Sequence, residues 1–206
     1  MRKQKILVIG LFIIAFMWIM HTLSKNFMVD PNFEKFLKKK DEIISNPTVW
    51  AVMLRIHIVL AVIALLTGPV GMMKGLRNKR LLFHRYNGRI YILSIVFNFI
   101  PGIYVSLFAT GGWLSTIGFF ILNTLWLITT VLGYKFIKRK DIVRHSQWIT
   151  RSFFLSFANT IIYIIVAVTH NGLNLSYGFA YTIAVWLSWI INLTIAEIVI
   201  KKKSLA

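Results

Sequence analysis

Two short segments hold the residues of this chain best suited to chemistry. They are His84-Arg85-Tyr86-Asn87-Gly88-Arg89-Ile90-Tyr91 and Arg144-His145-Ser146-Gln147-Trp148-Ile149-Thr150-Arg151-Ser152. At helical spacing His84, Gly88 and Tyr91 share one face, as do His145, Trp148 and Ser152. Each face offers an imidazole, a small or aromatic neighbour and nearby guanidinium groups. Two histidines on facing helices can supply both axial ligands of a b-type haem, with Arg85, Arg144 and Arg151 placed to pair with its propionates at a membrane surface. The same residues also fit a structural role, in which the imidazoles hydrogen-bond at helix ends and the arginines hold anionic lipid at the cytoplasmic face.

His57 and His170 are candidates for a second, outer pair, with His21 as a substitute. His145 and His170 cannot share one iron, because 25 residues separate them, about 37 Å along a straight helix. His57 falls about 12 Å below the outer end of its helix, where a polar side chain is costly and by default suspected of function. Arg55, two residues earlier, must snorkel, find a carboxylate or face a cavity. No acid within a span lies at its depth, which leaves the outer-loop acids, a bound anion or cofactor carboxylate, or water. Glu197, near the inner end of the last span, is expected to pair with Arg89, Arg144 or Arg151 in an inner polar cluster. Asn98, Asn123, Asn159 and Asn192 read as interhelical glue, and Trp186 and Trp189 as packing or site-lining aromatics.

The elements that must position these residues are membrane helices. The 206 residues are 57% hydrophobic and 15% charged, with a mean hydropathy of +0.71, far from a soluble domain. A net charge of +18 raises the question of nucleic acid, but the charges sit in short runs between apolar stretches, the pattern of membrane-flanking loops, and leave no soluble groove for a nucleic-acid partner. The absence of cysteine excludes disulfides, thiolate metal sites and thiol nucleophiles. No Ser/His/Asp set, Walker loop, HExxH or paired intramembrane carboxylate is present, so no catalytic residue is assigned.

Division of the chain at charge and Pro/Gly clusters gives an all-α integral membrane protein, a six-transmembrane-helix bundle. The spans are Ile6 to Leu23, Val49 to Met73, Ile90 to Thr110, Trp113 to Ile137, Gln147 to Thr169 and Tyr177 to Ile200. As domains, residues 1–23 form an uncleaved first helix, 24–48 an outer loop, 49–200 a five-helix membrane domain and 201–206 a basic tail. Eighteen Lys and Arg fall on one side, against five on the other that are nearly balanced by acids. The positive-inside rule then puts both termini in the cytoplasm. In the outer loop, Asp30-Pro31 followed by Phe33, Phe36, Leu37 and Ile44 predicts a short interfacial helix, a connector or a lid over a site. Kinks are expected at Gly68-Pro69 and Pro101-Gly102, and tight outer turns at Gly111-Gly112 and Asn171-Gly172. The two basic loops also match at a shift of 61 residues, with His84 on His145 and Gly111 on Gly172. A worn parallel duplication would bring the two histidines face to face at one depth; shared composition alone would also make the loops look alike.

Over about Arg55 to Glu197 the chain resembles a bacterial family of predicted membrane proteins, domain of unknown function 2306. The carriers are His57, Gly68-Pro69, His84-Arg85 with Gly88 and Tyr91, Trp126, Arg144-His145 with Trp148 and Arg151-Ser152, and Trp186, Trp189, Asn192 and Glu197. The family often has an arginine about a dozen residues after the Arg-Ser pair, and here that place is Tyr163. The resemblance implies the fold and the importance of the histidines, and brings no activity with it. A likeness to two-haem b-type membrane cytochromes rests on helix number and histidine placement only.

The leading expectation is a small b-type cytochrome-like protein of the bacterial cytoplasmic membrane. It would bind haem b through His84 and His145, with His57 and His170 outside, and exchange electrons with a quinone or respiratory partner. The alternatives are a non-catalytic factor that assembles or regulates an envelope or respiratory complex, and a carrier of a small anionic or lipid substrate using Arg55 and the inner arginines.

Overall fold

The computed structural model describes residues 2–38 and 44–204. Every regular element among them is helical. The order is α1 (Arg2–Leu23), which runs into a π-helical turn (Ser24–Val29), then α2 (Glu34–Leu37), α3 (Pro47–Met72), α4 (Lys74–Lys79), α5 (Leu81–Ser106) and α6 (Gly112–Lys138). It continues with α7 (Ile142–Leu155), α8 (Ala158–Val166), a second π-helical turn (Ala167–Gly172) and α9 (Tyr177–Ser204). Six stretches are long and apolar enough to cross a bilayer, with mean hydropathy from 1.5 to 2.5. A hydrocarbon core about 30 Å thick needs roughly 20 residues of helix, and each stretch exceeds that. Their lipid-facing sides stay apolar, as at Ile13, Phe97, Ile100 and Ile198.

Several element boundaries differ from the expectation; the first span runs on to Val29 and the fifth begins at Ile142. The third span begins at Leu81, nine residues before Ile90, because Arg85 and Arg89 lie exposed on a helix that projects past the hydrocarbon. The fifth span is broken between α7 and α8, where the Ser156 amide bonds both the Ser152 and Phe153 carbonyls and the Phe157 amide bonds that of Phe154. This tightened turn needs neither glycine nor proline, so no residue type announced it. The last outer turn is centred on Asn174, at φ 56°, while Asn171 and Gly172 close the π-helical turn before it. The other outer turn is as expected: Gly111 and Gly112 have φ of 89° and 70°, a left-handed conformation that glycine adopts without penalty.

The glycines beside the two helix prolines make room for side chains of other helices. Helices α3 and α5 run through Pro69 and Pro101 without interruption, and each neighbouring glycine admits a side chain from another helix. Gly68 receives the Phe153 ring, and a Cβ at Gly102 would stand 2.5 Å from Asn123 Oδ1 and 3.3 Å from His57 Nδ1. Small residues at helix contacts allow such approach, and dispersion then holds the bundle together. The tightest packing joins α3 with α5, α6 with α7 and α8 with α9. Helix α1 lies on α3 and meets α8 through Trp18 and Tyr163, 5.1 Å between ring centroids. Gly68→Ala is expected to destabilise the protein, because about 1–3 kcal/mol of overpacking against the fully buried Phe153 ring exceeds the at most about 1 kcal/mol gained in helix propensity. Denaturant titration in detergent measures the difference.

The outer loop folds onto the bundle. Asp30 Oδ2 accepts the amides of Lys35 and Phe36, which starts α2 as its sequence suggests. Phe33 adopts φ 57° and is 1% exposed, wedged edge-on against Trp50 at 5.9 Å. Asp41 and Glu42, two of the outer-loop acids, lie outside the described residues.

Candidate functional site

At the basic end of the bundle, Ser152 joins three helices. Its Oγ lies 2.7 Å from the Tyr91 hydroxyl of α5 and 2.7 Å from Thr130 Oγ1 of α6, while Thr130 donates to the Trp126 carbonyl. All three hydroxyl residues are buried, so each hydroxyl needs the others as partners. Tyr91 and Ser152 are themselves 61 residues apart, the shift that relates the two basic loops.

This contact sets the register of α5 and α7, which both run outward from the basic end. His84 lies seven residues before Tyr91, and His145 seven before Ser152. Seven residues are close to two turns, so each imidazole sits on the same face as the bonded hydroxyl and about 10.5 Å nearer the basic end. Helices α5 and α7 both pack on α6, and each histidine stands two turns nearer the basic end than the hydroxyl its helix contributes to the contact. Each is the single inward-facing residue of its helix start: positions 81–86 are exposed except His84, and 142–146 are exposed except His145.

His145 Nδ1 is 2.8 Å from the Gly133 carbonyl of α6. A carbonyl only accepts, so Nδ1 donates and the neutral ring keeps its lone pair on Nε2. Gly133 makes this possible: a Cβ there would stand 2.6 Å from Ile149 Cδ1 of α7, pushing the two helices apart. The His84 Nδ1 is likewise enclosed by protein. A fixed tautomer with Nε2 presented is how metal-ligating imidazoles are commonly held.

The arginines divide. Arg151 is held by Glu197, with Nε–Oε1 2.5 Å and Nη2–Oε2 3.2 Å, and stacks 4.6 Å over the Trp148 ring. Of the three pairings expected for Glu197 this is the one formed. Arg89 lies instead over Tyr86 at 5.6 Å, outside the Arg151–Glu197 cluster. Arg144 pairs with Asp141 one turn earlier at 3.4 Å, and Arg85 is exposed. The side chains placed toward the surface beside the two histidines are thus Arg85 and Arg144.

The outer residues form a different arrangement. A mostly apolar pocket of about 70 Å³ between α3, α5, α6 and α9 is lined by Phe36, Val105, Ala109, Phe119 and Gly102 together with His57, Ser106, Asn123 and Tyr181. Asn98 lies beside the His57 ring without a well-aligned hydrogen bond to it. His170 is absent from this lining; its Nδ1 is 2.7 Å from the Leu175 carbonyl and its ring packs against Tyr177 at 5.4 Å. His21 belongs to a third cluster with Trp18 and Tyr163, where Lys25 donates to the Tyr163 hydroxyl at 2.6 Å. The geometry of the outer half thus sets His57 beside asparagines. Arg55 donates to the Pro31 carbonyl at 2.8 Å and lies 5.4 Å over the Phe33 ring, a backbone partner that residue types do not reveal. Among the described residues no three His, Asp or Glu side chains converge, so a metal centre here would rest on a pair of protein ligands. Thr130 and Gly133 went unnoticed in the sequence; the polar hydroxyl within a span was the signal for the first, and nothing marked the second.

No curated protein and no solved structure matches the chain. A family model does match, over residues 54–200, a stretch that contains His57, His84, His145, the Tyr91–Ser152 contact and the Arg151–Glu197 pair. The chain belongs to the family described as predicted membrane protein (DUF2306).

Proposed function

We propose that this multi-pass membrane protein binds one b-type haem between His84 and His145 and exchanges electrons with a quinone or respiratory partner. The observation that carries the reading is the common register of the two histidines, two turns below the Tyr91–Ser152 contact. What supports the group is the donor type: two imidazoles at helix starts of the basic end, one with Nε2 left as its lone-pair nitrogen by the Gly133 carbonyl, the kind of ligand that six-coordinate haem iron takes. Bound there, the haem would supply reversible one-electron chemistry. The chain's own contribution is to fix both rings, to hold α5, α6 and α7 together through Ser152, and to offer Arg85 and Arg144 to propionates at the surface. Arg151, engaged by Glu197, braces α7 against α9 instead.

The eighteen basic residues on the histidine side support a cytoplasmic location for that end and for both termini, in a bacterial cytoplasmic membrane. Arg55, which the carrier reading would use with the inner arginines, donates to the Pro31 carbonyl. The test is the reduced-minus-oxidised absorbance spectrum of protein purified from haem-replete cells, with pyridine extraction to count haem. One haem b per chain is expected; a sample with neither signal would exclude the proposal.

A further inference from the structure

Two asparagines inside the spans satisfy their amides on their own helices. Asn123 donates to the Phe119 carbonyl at 2.9 Å and Asn192 to the Ser188 carbonyl at 2.7 Å, each one turn back. For Asn159 the carbonyl one turn back belongs to Leu155, the last residue of α7. The helix breaks at Ser156 and Phe157, and α8 starts afresh at Ala158. That break takes away the partner that Asn123 and Asn192 use. Tyr163, one turn further out on the same face, is engaged by Lys25 at 2.6 Å and by the Trp18 ring. Among the described residues the Asn159 carboxamide has no hydrogen bond, and the residue is exposed.

Its depth makes that exposure costly. The span runs from Ile142 to Gly172, which sets Asn159 about 25 Å from the inner end and about 20 Å from the outer end along the helix. It therefore lies well inside a hydrocarbon core about 30 Å thick. The other exposed residues of this stretch, Ile164 and Val168, are apolar, so nothing draws water or a headgroup to its level, and an unpaired amide in lipid must find protein. The chemistry of the group selects which protein. A carboxamide is donor and acceptor at once, so two of them face to face complete two hydrogen bonds. All copies of one chain insert the same way, and a two-fold axis along the membrane normal brings each Asn159 to one depth. Asparagine bonds between helices favour association in a bilayer. We infer that the protein forms a homodimer in the membrane through an interface centred on the exposed Asn159 of α8, the two carboxamides bonded reciprocally across the two-fold axis. This surface is independent of the proposed haem site.

The chain has no cysteine, so single-cysteine variants carry one dye or one disulfide each. Förster transfer between donor- and acceptor-labelled copies of Lys138→Cys in liposomes, read over a range of protein-to-lipid ratios, measures association. Chains that keep Asn159 are expected to dimerise. Asn159→Leu should raise the ratio at half association by about tenfold or more, through loss of both interhelical bonds, while Asn159→Gln, which keeps the carboxamide, retains most of the association. Thr194→Val should leave it unchanged, because that exposed hydroxyl is bonded to the Ile190 carbonyl of its own helix at 2.8 Å. Oxidation of Asn159→Cys in membranes is expected to give a disulfide-linked dimer, and Thr194→Cys none. Circular dichroism verifies the fold of each variant, and an exposed residue without a bond in the chain can be changed without unfolding it. Chains with Asn159 that stay monomeric across the range, half association unmoved by Asn159→Leu, or no cross-link from Asn159→Cys would each overturn the inference.

Discussion

His145→Ala and His84→Ala are each expected to remove the b-type absorbance of the purified protein while leaving the helical bundle in place. Loss of one partner that merely orients a ligand already costs about 10–100-fold in metal affinity, so loss of a ligand itself should exceed that range. Both histidines stand at helix starts whose neighbours are exposed, away from the packed core around Phe153, Leu155 and Ile95. Removing His145 forfeits its bond to Gly133, worth about 1 kcal/mol net, too little to unfold a membrane bundle. His170→Ala serves as the comparison, because its ring bonds Leu175 and packs on Tyr177 at the opposite end, and it should keep the spectrum. Absorbance per mole of protein, with circular dichroism to verify the fold, separates these outcomes. A His84→Ala protein with full haem content would break the pairing.

Trp50→Ala is expected to cost about 3–5 kcal/mol, the range for truncating a large buried aromatic, and to release the outer loop. Trp50 is 0% exposed and is the surface on which both Phe33 and Phe36 lie; with Leu54 and Ile58 it forms the core cluster that holds the loop. Arg55 adds a hydrogen bond to the Pro31 carbonyl of the same loop, a smaller term than an aromatic core. Limited proteolysis of protein in sealed vesicles should cut within the outer loop of the variant and spare the wild type, and denaturant titration gives the energy. A loss below about 1 kcal/mol would show that the loop is not held by this packing.

The six spans follow from length and hydropathy, and their existence needs no tertiary contact. The start of the third was hidden, because charges were read as loop when Arg85 and Arg89 ride on an exposed helical turn. The two histidine faces were visible as matching patterns, whereas the hydrogen bond between Tyr91 and Ser152, two turns further along each helix, needed the structure. Glu197 had three arginines in reach by sequence, and packing of α7 on α9 selected Arg151. Gly68 and Gly102 announced themselves as kink sites beside prolines; what they admit, Phe153 and the Asn123–His57 pair, depends on helices far away in the chain. Arg55 was the least legible, since its partner is a backbone carbonyl, which every residue carries.

Low-temperature electron paramagnetic resonance of the oxidised, purified protein tests the proposed histidine pair most directly. Iron held by both His84 and His145 gives the low-spin ferric signal of two axial imidazoles, lost in either alanine variant. A high-spin signal in the wild type, or haem iron that keeps its low-spin signal without His84 or His145, would contradict it.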